Sequence, residues 1–138
     1  MPELPEVEAL ATFLRDRASG HAVAHAYVAA ISVLKTYDPS PASLTGLVVG
    51  DVTRHGKFLD LSLAPAGGGV AVHLIVHLAR AGWLRWREEI PPQPPRPGKG
   101  PLAFRVILDD ESGFDLTEAG TQKRLAVYLV RDPMDVPG

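Results

Sequence analysis

The chain has 138 residues, of which 46% are hydrophobic and 22% are charged, a composition typical of one globular domain that can bury its own core. It contains no cysteine, which excludes disulfide bonds and thiolate zinc sites within these residues. Lys and Arg number 14 against 16 Asp and Glu, and the net charge of −2 excludes a uniformly basic surface, so any nucleic-acid contact must come from local clusters.

The start of the chain carries glutamates instead of a basic flank and an apolar core, so it does not have the pattern of a signal peptide. The apolar run from Gly69 to Leu78 has the length of a strand and is too short to span a membrane. We therefore expect a protein without membrane contact, located in the cytoplasm. Two further expectations are that it is a monomer and that it is associated with the nucleoid if the source is bacterial.

The first predicted element is a helix over Pro5–Ser19. Apolar residues recur at the spacing i, i+3, i+4, i+7 from Val7 to Leu14, which is the pattern of one buried helix face. Proline suits the first helical turn, and Gly20 suits the stop after the last one.

Short runs of β-branched and aromatic residues, separated by turn residues, follow the helix. They predict strands at Ala22–Ile31, Leu47–Arg54, Phe58–Leu63, Val70–Leu78, Trp83–Arg87, Leu102–Asp109, Phe114–Thr117 and Arg124–Val130. Many short strands with one long helix predict a mainly β fold with α, namely an antiparallel β-sandwich with the N-terminal helix packed against it.

Two segments interrupt this pattern. The run Pro91–Pro97, inside a loop over about residues 90–101, is either a stiff polyproline II connection or a ligand for an aromatic-grooved domain. The last residues, Arg131–Gly138, are linker-like in composition.

The opening Met1-Pro2-Glu3 is unusual because a chain terminus seldom needs particular residues. Removal of Met1 would leave a secondary amine on Pro2, which can attack an electrophilic carbon and form an iminium with a sugar aldehyde. Glu3 is adjacent and suited to deliver a proton, and Glu6 lies one helical turn further on. The same residues also suit a simple helix start, because prolines and acids are favourable there.

The stretch Met-Pro-Glu-Leu-Pro-Glu-Val-Glu resembles the start of the formamidopyrimidine-DNA glycosylase / endonuclease VIII family of base-excision repair enzymes. Arg54–Leu59 resembles the family segment that presents a catalytic lysine at a strand start. His77–Leu84 resembles its H-L-G-M-S-G-x-L segment, and Thr121–Ala126 stands where the family carries D-P-R-R-F-G. The order and spacing match over essentially the whole chain.

The resemblance implies a mechanism, with the catalytic residues Pro2, Glu3, Glu6 and Lys57. Pro2 would attack C1′ of a damaged nucleotide flipped from double-stranded DNA and expel the base. Glu3 would protonate the opening deoxyribose, and Glu6 would assist at the same centre. Lys57 would contact the phosphate or donate a proton in β-elimination, so the enzyme would be both a glycosylase and an abasic-site lyase.

The family fills the space of the flipped base with a methionine, an arginine and a phenylalanine, and this chain departs from all three. The matching positions hold Arg80, Lys123 and Leu125. Leu125 can still act as an apolar wedge between bases, whereas Lys123 loses the planar guanidinium. Oxidised purines such as 8-oxoguanine and formamidopyrimidines are the favoured substrates, with oxidised pyrimidines and abasic sites as alternatives.

Other residues have two interpretations each. Arg54 and His55 either contact phosphate or lie in an exposed turn, and Lys57 can be an ordinary solvated lysine. His77 is a candidate DNA contact, although with His73 it could also mimic a metal pair on one strand face. Arg124, like Lys123, is a candidate phosphate or groove contact. Of Trp83 and Trp86, which lie on opposite strand faces, at least one is expected in the core, and base stacking is the alternative.

We expect residues 1–138 to be the N-terminal catalytic domain of this family type. The helix–two-turn–helix domain and the zinc finger that follow it in the family lie outside this chain, so zinc is possible only there and no cofactor or metal is expected here. The isolated domain is expected to bind DNA weakly and turn over little. The competing classes are a non-catalytic damaged-DNA-binding homologue and a β-sandwich module that binds proteins through its proline-rich loop.

Overall fold

The computed structural model describes residues 2–96 and 100–138. These residues form one α-helix and eight β-strands, so the predicted helix and all eight predicted strands are confirmed. In chain order they are α1 Leu4–Ala18, β1 Val23–Val28, β2 Val48–His55, β3 Phe58–Ala64, β4 Val72–His77, β5 Gly82–Arg87, β6 Leu102–Leu108, β7 Gly113–Glu118 and β8 Ala126–Val130. Among these residues there is no helix with the length and apolarity needed to cross a membrane.

Helix α1 begins at the chain start because its first turn is stabilised locally. Proline occupies the first turn, and the carboxylate of Glu6 accepts the backbone N–H of Glu3 at 2.9 Å. Val7, Ala11 and Leu14 are buried on one face, as the spacing predicted. That face packs mainly against β2.

The strands form two antiparallel sheets of four strands each, which confirms the predicted sandwich. Sheet I has the order β1-β6-β7-β5, and sheet II has the order β2-β3-β4-β8. Both sheets and α1 contribute to one hydrophobic core, with Leu61 and Val76 from sheet II and Phe104 and Phe114 from sheet I among its members. The assignment of strands to sheets depends on long-range pairing that no local pattern in the sequence specifies.

One end of sheet II collects the predicted site residues. His55 pairs with Phe58, Phe58 with His77, and His77 with Ala126, so these four residues form a row across the sheet. The turn between β2 and β3, the turn between β4 and β5, and the segment leading into β8 therefore lie at the same end. We call it the Pro2 end, because Pro2 lies beside the turn between β4 and β5.

The two irregular segments are partly packed onto the sheets. In the predicted proline-rich loop, Ile90 is buried, and the hydroxyl of Tyr27 donates to the carbonyl of Pro92 at 3.0 Å. Residues 97–99 of this loop lie outside the described residues. The C-terminal tail, expected to be linker-like, instead forms a short 3-10 helix over Pro133–Asp135 and ends with Gly138 against the ring of Phe58.

Candidate active site

Pro2 is buried at the Pro2 end, immediately before the helix cap Glu3. It lines a cleft of about 280 Å³ whose other walls come from the first turn of α1 and from the turn between β4 and β5. We call this the Pro2 cleft; it is lined by Pro2, Glu6, Arg80, Ala81, Gly82 and Trp83. A candidate nucleophile, a carboxylate and a guanidinium thus share one small cleft.

The two candidate acids are placed by the helix start. Glu3 is exposed as the cap residue, and the carboxylate of Glu6 is held by the N–H of Glu3 at 2.9 Å. Since that N–H belongs to the peptide bond that follows Pro2, the hydrogen bond keeps Glu6 beside Pro2. The contact is also half of a capping box, so it serves the helix start and the cleft together.

The turn between β4 and β5 is tight because Gly82 leaves no room for a side chain. A Cβ atom at this position would lie 2.2 Å from the carbonyl oxygen of Leu78 and 3.0 Å from Leu125 Cδ1. Ala79 adopts a φ of 59°, in the left-handed region that side chains seldom occupy. The turn presents Arg80 to solvent beside Pro2.

Lys57 lies in the two-residue turn between β2 and β3, where Gly56 supplies a φ of 59°. Next to this turn, the ring of His77 packs edge-on against Phe58 with the centroids 5.0 Å apart. Burial, and then the charge of Lys57, lower the pKa of His77 below its ordinary value. Both effects favour the neutral imidazole of His77 over its charged form.

Lys57 lines a different cavity from the Pro2 cleft. This second cavity, of about 840 Å³, lies between the turn that carries Lys57 and the C-terminal tail, with Asp60 on its wall. Asp60 accepts a hydrogen bond at 2.8 Å from Nδ1 of His73. His73 is thus paired with a carboxylate of its own sheet, which agrees with a hydrogen-bonded histidine rather than a metal pair with His77.

The segment Lys123–Leu125 is anchored by a buried carboxylate that sequence reasoning missed. Glu118 is 1% exposed, and its Oε2 accepts the backbone N–H groups of Arg124 and Leu125, each at 2.8 Å. Nζ of Lys123 donates to the carbonyl oxygen of Glu118 at 2.6 Å. Because Glu118 also pairs with Gly82 in sheet I, this segment is held directly beside the Pro2 cleft. The only sequence signal was an acid at the end of a predicted strand.

Leu125, the predicted wedge residue, lies in the core, and its role between bases stays a prediction. Its side chain is 1% exposed and packs within the core beneath Gly82, so it is not available for insertion between bases in this arrangement. The neighbouring Lys123 and Arg124 are exposed, as a DNA contact requires. Leu125 immediately precedes β8, and burial of its apolar side chain in the core is favourable.

Arg54 and His55 differ in their availability. Nη1 of Arg54 donates to the carbonyl of Gly56 at 2.9 Å, and its Nε lies 3.7 Å from the carboxylate of Glu8, so this side chain braces the turn against α1. His55 is exposed, with its Nε2 3.1 Å from the hydroxyl of Thr53. Both lie at the Pro2 end, and both remain predicted DNA contacts.

At the opposite end of the sandwich, His21 forms a cluster with Asp109 and Asp110. Nδ1 of His21 lies 2.7 Å from Asp109 and Nε2 lies 3.8 Å from Asp110. Hydrogen bonding to Asp109 raises the pKa of His21, while the N–H of Ala22 and then His21 lower the pKa of Asp109. Within residues 2–96 and 100–138 this is the group whose atoms are spaced to hold a metal ion.

The chain is similar to known proteins in sequence. Residues 1–125 match the family described as Formamidopyrimidine-DNA glycosylase N-terminal domain. A formamidopyrimidine-DNA glycosylase of Corynebacterium glutamicum is 37% identical over 117 residues, which cover 80% of this chain and 39% of the relative. One of Mycobacterium bovis is 35% identical over 152 residues, covering 100% of this chain and 46% of the relative. The chain thus spans less than half the length of these relatives.

The fold is similar to solved structures of a Lactococcus lactis protein. Its complex with an N7-benzyl-Fapy-dG containing DNA has a TM-score of 0.75 and 22% identity, covering 94% of this chain and 44% of that chain. Its non-covalent complex with an AP site containing DNA has a TM-score of 0.74 and 21% identity, covering 94% and 45%. At this identity the likeness establishes the fold.

Proposed function

The chain belongs to the formamidopyrimidine-DNA glycosylase family, and from this premise we propose that residues 1–138 are the catalytic N-terminal domain of a base-excision repair enzyme. The enzyme would remove oxidised bases, oxidised purines above all, and cleave the resulting abasic site. The observation that carries the proposal is the Pro2 cleft, where the candidate nucleophile lies with Glu6 and Arg80. Its partner would be double-stranded DNA with a damaged base or abasic site, as in the complexes of the Lactococcus lactis protein.

The first step uses the amine of Pro2 after Met1 is removed, because with Met1 attached this nitrogen is an amide. The nitrogen attacks C1′ of the flipped nucleotide, the bond from C1′ to the base breaks, and the base leaves with that electron pair and a proton. Glu3 protonates the ring oxygen as the sugar opens, and an iminium joins C1′ to Pro2. Glu6, held beside Pro2, manages the proton of the amine.

The second step breaks the strand. Loss of a proton from C2′ of the iminium expels the 3′ phosphate with the electron pair of its C–O bond. Lys57 would contact that phosphate or donate a proton. Since Lys57 lines the neighbouring cavity, this role requires the DNA strand to pass from the Pro2 cleft across the end of sheet II.

We also propose that the enzyme has further domains beyond these 138 residues. Its relatives are more than twice as long, and we propose that a helix–two-turn–helix domain and a zinc finger or its metal-free replacement supply most of the DNA affinity. The domain alone would then bind DNA weakly. We further propose that it acts as a monomer in the cytoplasm.

Borohydride trapping on duplexes that contain an abasic site or 8-oxoguanine tests the proposal. Chain without Met1, verified by intact mass, should form a covalent adduct with the abasic duplex, because the reductant fixes the iminium as an amine. Pro2→Gly, and chemical capping of the terminal amine, should each remove the adduct. An adduct that survives both changes would contradict a role for Pro2.

A non-catalytic damaged-DNA-binding homologue is the second candidate, and the burial of Leu125 favours it. An enzyme that flips a base must hold the vacated space, whereas Leu125 is 1% exposed here. This candidate predicts lesion-selective binding without any borohydride adduct, even when the proposed C-terminal domains are attached.

A further inference from the structure

Strand β5 presents an aromatic ring and a guanidinium group on its outer face. It is an edge strand of sheet I, and its alternate residues Gly82 and Leu84 are buried in the core. The residues between them face outward: Trp83 is 41% exposed, and Arg85 is exposed. Residues two apart on a strand lie about 6.6 Å apart, so the ring and the charge are close neighbours.

The charge of Arg85 is left uncompensated by its own sheet. Its cross-strand neighbour Asp115 is buried and accepts hydrogen bonds from Arg105 at 2.6 and 2.9 Å, and Nη1 of Arg87 lies 3.5 Å from the same carboxylate. The guanidinium groups of Arg105 and Arg87 therefore already share this carboxylate. Within the described parts of the chain, the side chain of Arg85 has no hydrogen bond or ion pair, and the nearby Glu88 is paired with Arg17 at 3.0 Å.

The exposed ring is continuous with the Pro2 cleft. Trp83 forms one wall of that cleft, beside the exposed Arg80. By contrast Trp86, on the other face of β5, packs against Phe13 with the ring centroids 6.0 Å apart. Trp86 therefore has a structural role, whereas the exposed ring of Trp83 is available to a ligand.

We propose that Trp83 and Arg85, which we call the β5 strip, bind the DNA strand that flanks the nucleotide in the Pro2 cleft. Trp83 stacks on a base or sugar next to that nucleotide, and Arg85 binds the following phosphate. Charge complementarity and continuity with the cleft support this occupant, in a chain whose overall charge of −2 would not attract DNA. The inference rests on the proposed function, because it assigns the strip to the same substrate.

The strip is tested by salt-dependent binding to a labelled duplex that carries one stable abasic-site analogue, which cannot react with Pro2. Arg85→Gln should make the negative slope of log K against log salt shallower by about 0.9, the value for one lost phosphate contact. Arg131→Gln is the control for the loss of one positive charge, because Arg131 is 57% exposed, lies 3.2 Å from Asp38 and stands just beyond β8, at the far end from Pro2. The control should keep the slope of the unsubstituted chain.

Stacking is tested with two substitutions of Trp83. Trp83→Leu should weaken binding about tenfold without changing the slope, and Trp83→Phe, which keeps a ring, should restore most of it. Urea unfolding followed by the fluorescence of Trp86 verifies that each variant is folded. Equal affinities for the Leu and Phe variants would overturn the stacking.

Other outcomes separate the strip from the proposed function. Equal slopes for Arg85→Gln and Arg131→Gln, or no salt-dependent binding by the unsubstituted chain, would overturn the strip. Binding that depends on Arg85 together with a failure of borohydride trapping would uphold the strip and count only against the Pro2 chemistry.

Discussion

The two ends of the sandwich both concentrate charged side chains, and they use them differently. At the His21 end, His21, Asp109 and Asp110 bind one another, with Nδ1 of His21 only 2.7 Å from Asp109. At the Pro2 end, Arg80 and Arg124 have no side-chain hydrogen bond or ion pair among the described residues. Instead, the backbone of the segment that carries Arg124 is anchored by the buried Glu118.

The difference indicates which end is built to bind another molecule. Charges that satisfy one another gain little from a ligand, because a ligand would have to replace the bonds they already make. Charged residues whose backbone is held in place keep their side chains available, and their backbone needs no further ordering on binding. The Pro2 end therefore has the character of a binding surface, and the His21 end that of a clamp between β1 and β6.

Among the substitutions that test this difference between the two ends, Glu118→Ala is expected to have the largest effect on stability. It leaves the N–H groups of Arg124 and Leu125 without their acceptor, and an unsatisfied buried donor costs about 1–3 kcal/mol. Glu118→Gln keeps one acceptor oxygen and should lose less. Urea unfolding at constant pH measures both, and an alanine variant as stable as the unsubstituted chain would show that Glu118 does not anchor the segment.

Gly82→Ala should also destabilise the Pro2 end. The new Cβ would lie 2.2 Å from the carbonyl of Leu78, which is backbone and cannot move aside, so a loss of about 1–3 kcal/mol is expected. Gly50→Ala is the matched control, since its Cβ would meet Ser62 at an ordinary 3.6 Å. The midpoint of urea unfolding should fall more for Gly82→Ala than for Gly50→Ala. Equal shifts would contradict the close contact between Gly82 and the carbonyl of Leu78.

The clamp at the His21 end should give a small pH dependence of stability. The pKa of His21 is raised above 6.5, so its contribution is complete below pH 6.5 and is lost as the pH rises through the folded value. The pKa values of Asp109 and Asp110 are lowered below 3.8, so their contribution is present above pH 3.8 and is lost on acidification. Because these groups are largely exposed, less than about 1 kcal/mol is expected.

The variant His21→Gln tests the part of this pH dependence of stability that lies above pH 6.5. It should flatten the change in unfolding free energy above pH 6.5 and leave the Pro2 end unaffected. Chemical denaturation across a pH series measures the effect. A variant that retains the full dependence would show that another group is responsible.

The smallest effect is expected at His77. Its pKa is lowered by burial and by the charge of Lys57, so Lys57→Gln should raise it while leaving it below the ordinary value, because burial is the larger cause. NMR titration of the histidine side chains reports the change, with His25 as an internal reference. An unchanged pKa for His77 would show that the two side chains do not interact.

The sequence predicts the helix and the strands of this fold well. It predicts the burial and the contacts of single side chains less well. The helix and all eight strands follow from local periodicity, and the resemblance at the chain start gives the family. Leu125 could not be placed from the sequence, because an apolar residue before a strand can face either core or solvent. Glu118 was missed because its partners are backbone groups that only the folded chain brings together.

The central claim, that Pro2 rather than a lysine carries the sugar, is tested most directly by mapping the borohydride adduct. Trypsin cuts after Arg15, so an adduct on Pro2 should add its mass to the peptide 2–15 and leave cleavage after Lys57 intact. Mass spectrometry of the digested adduct should therefore find the added mass only at the terminal proline. An adduct located on Lys57, with cleavage at that residue blocked, would contradict the account.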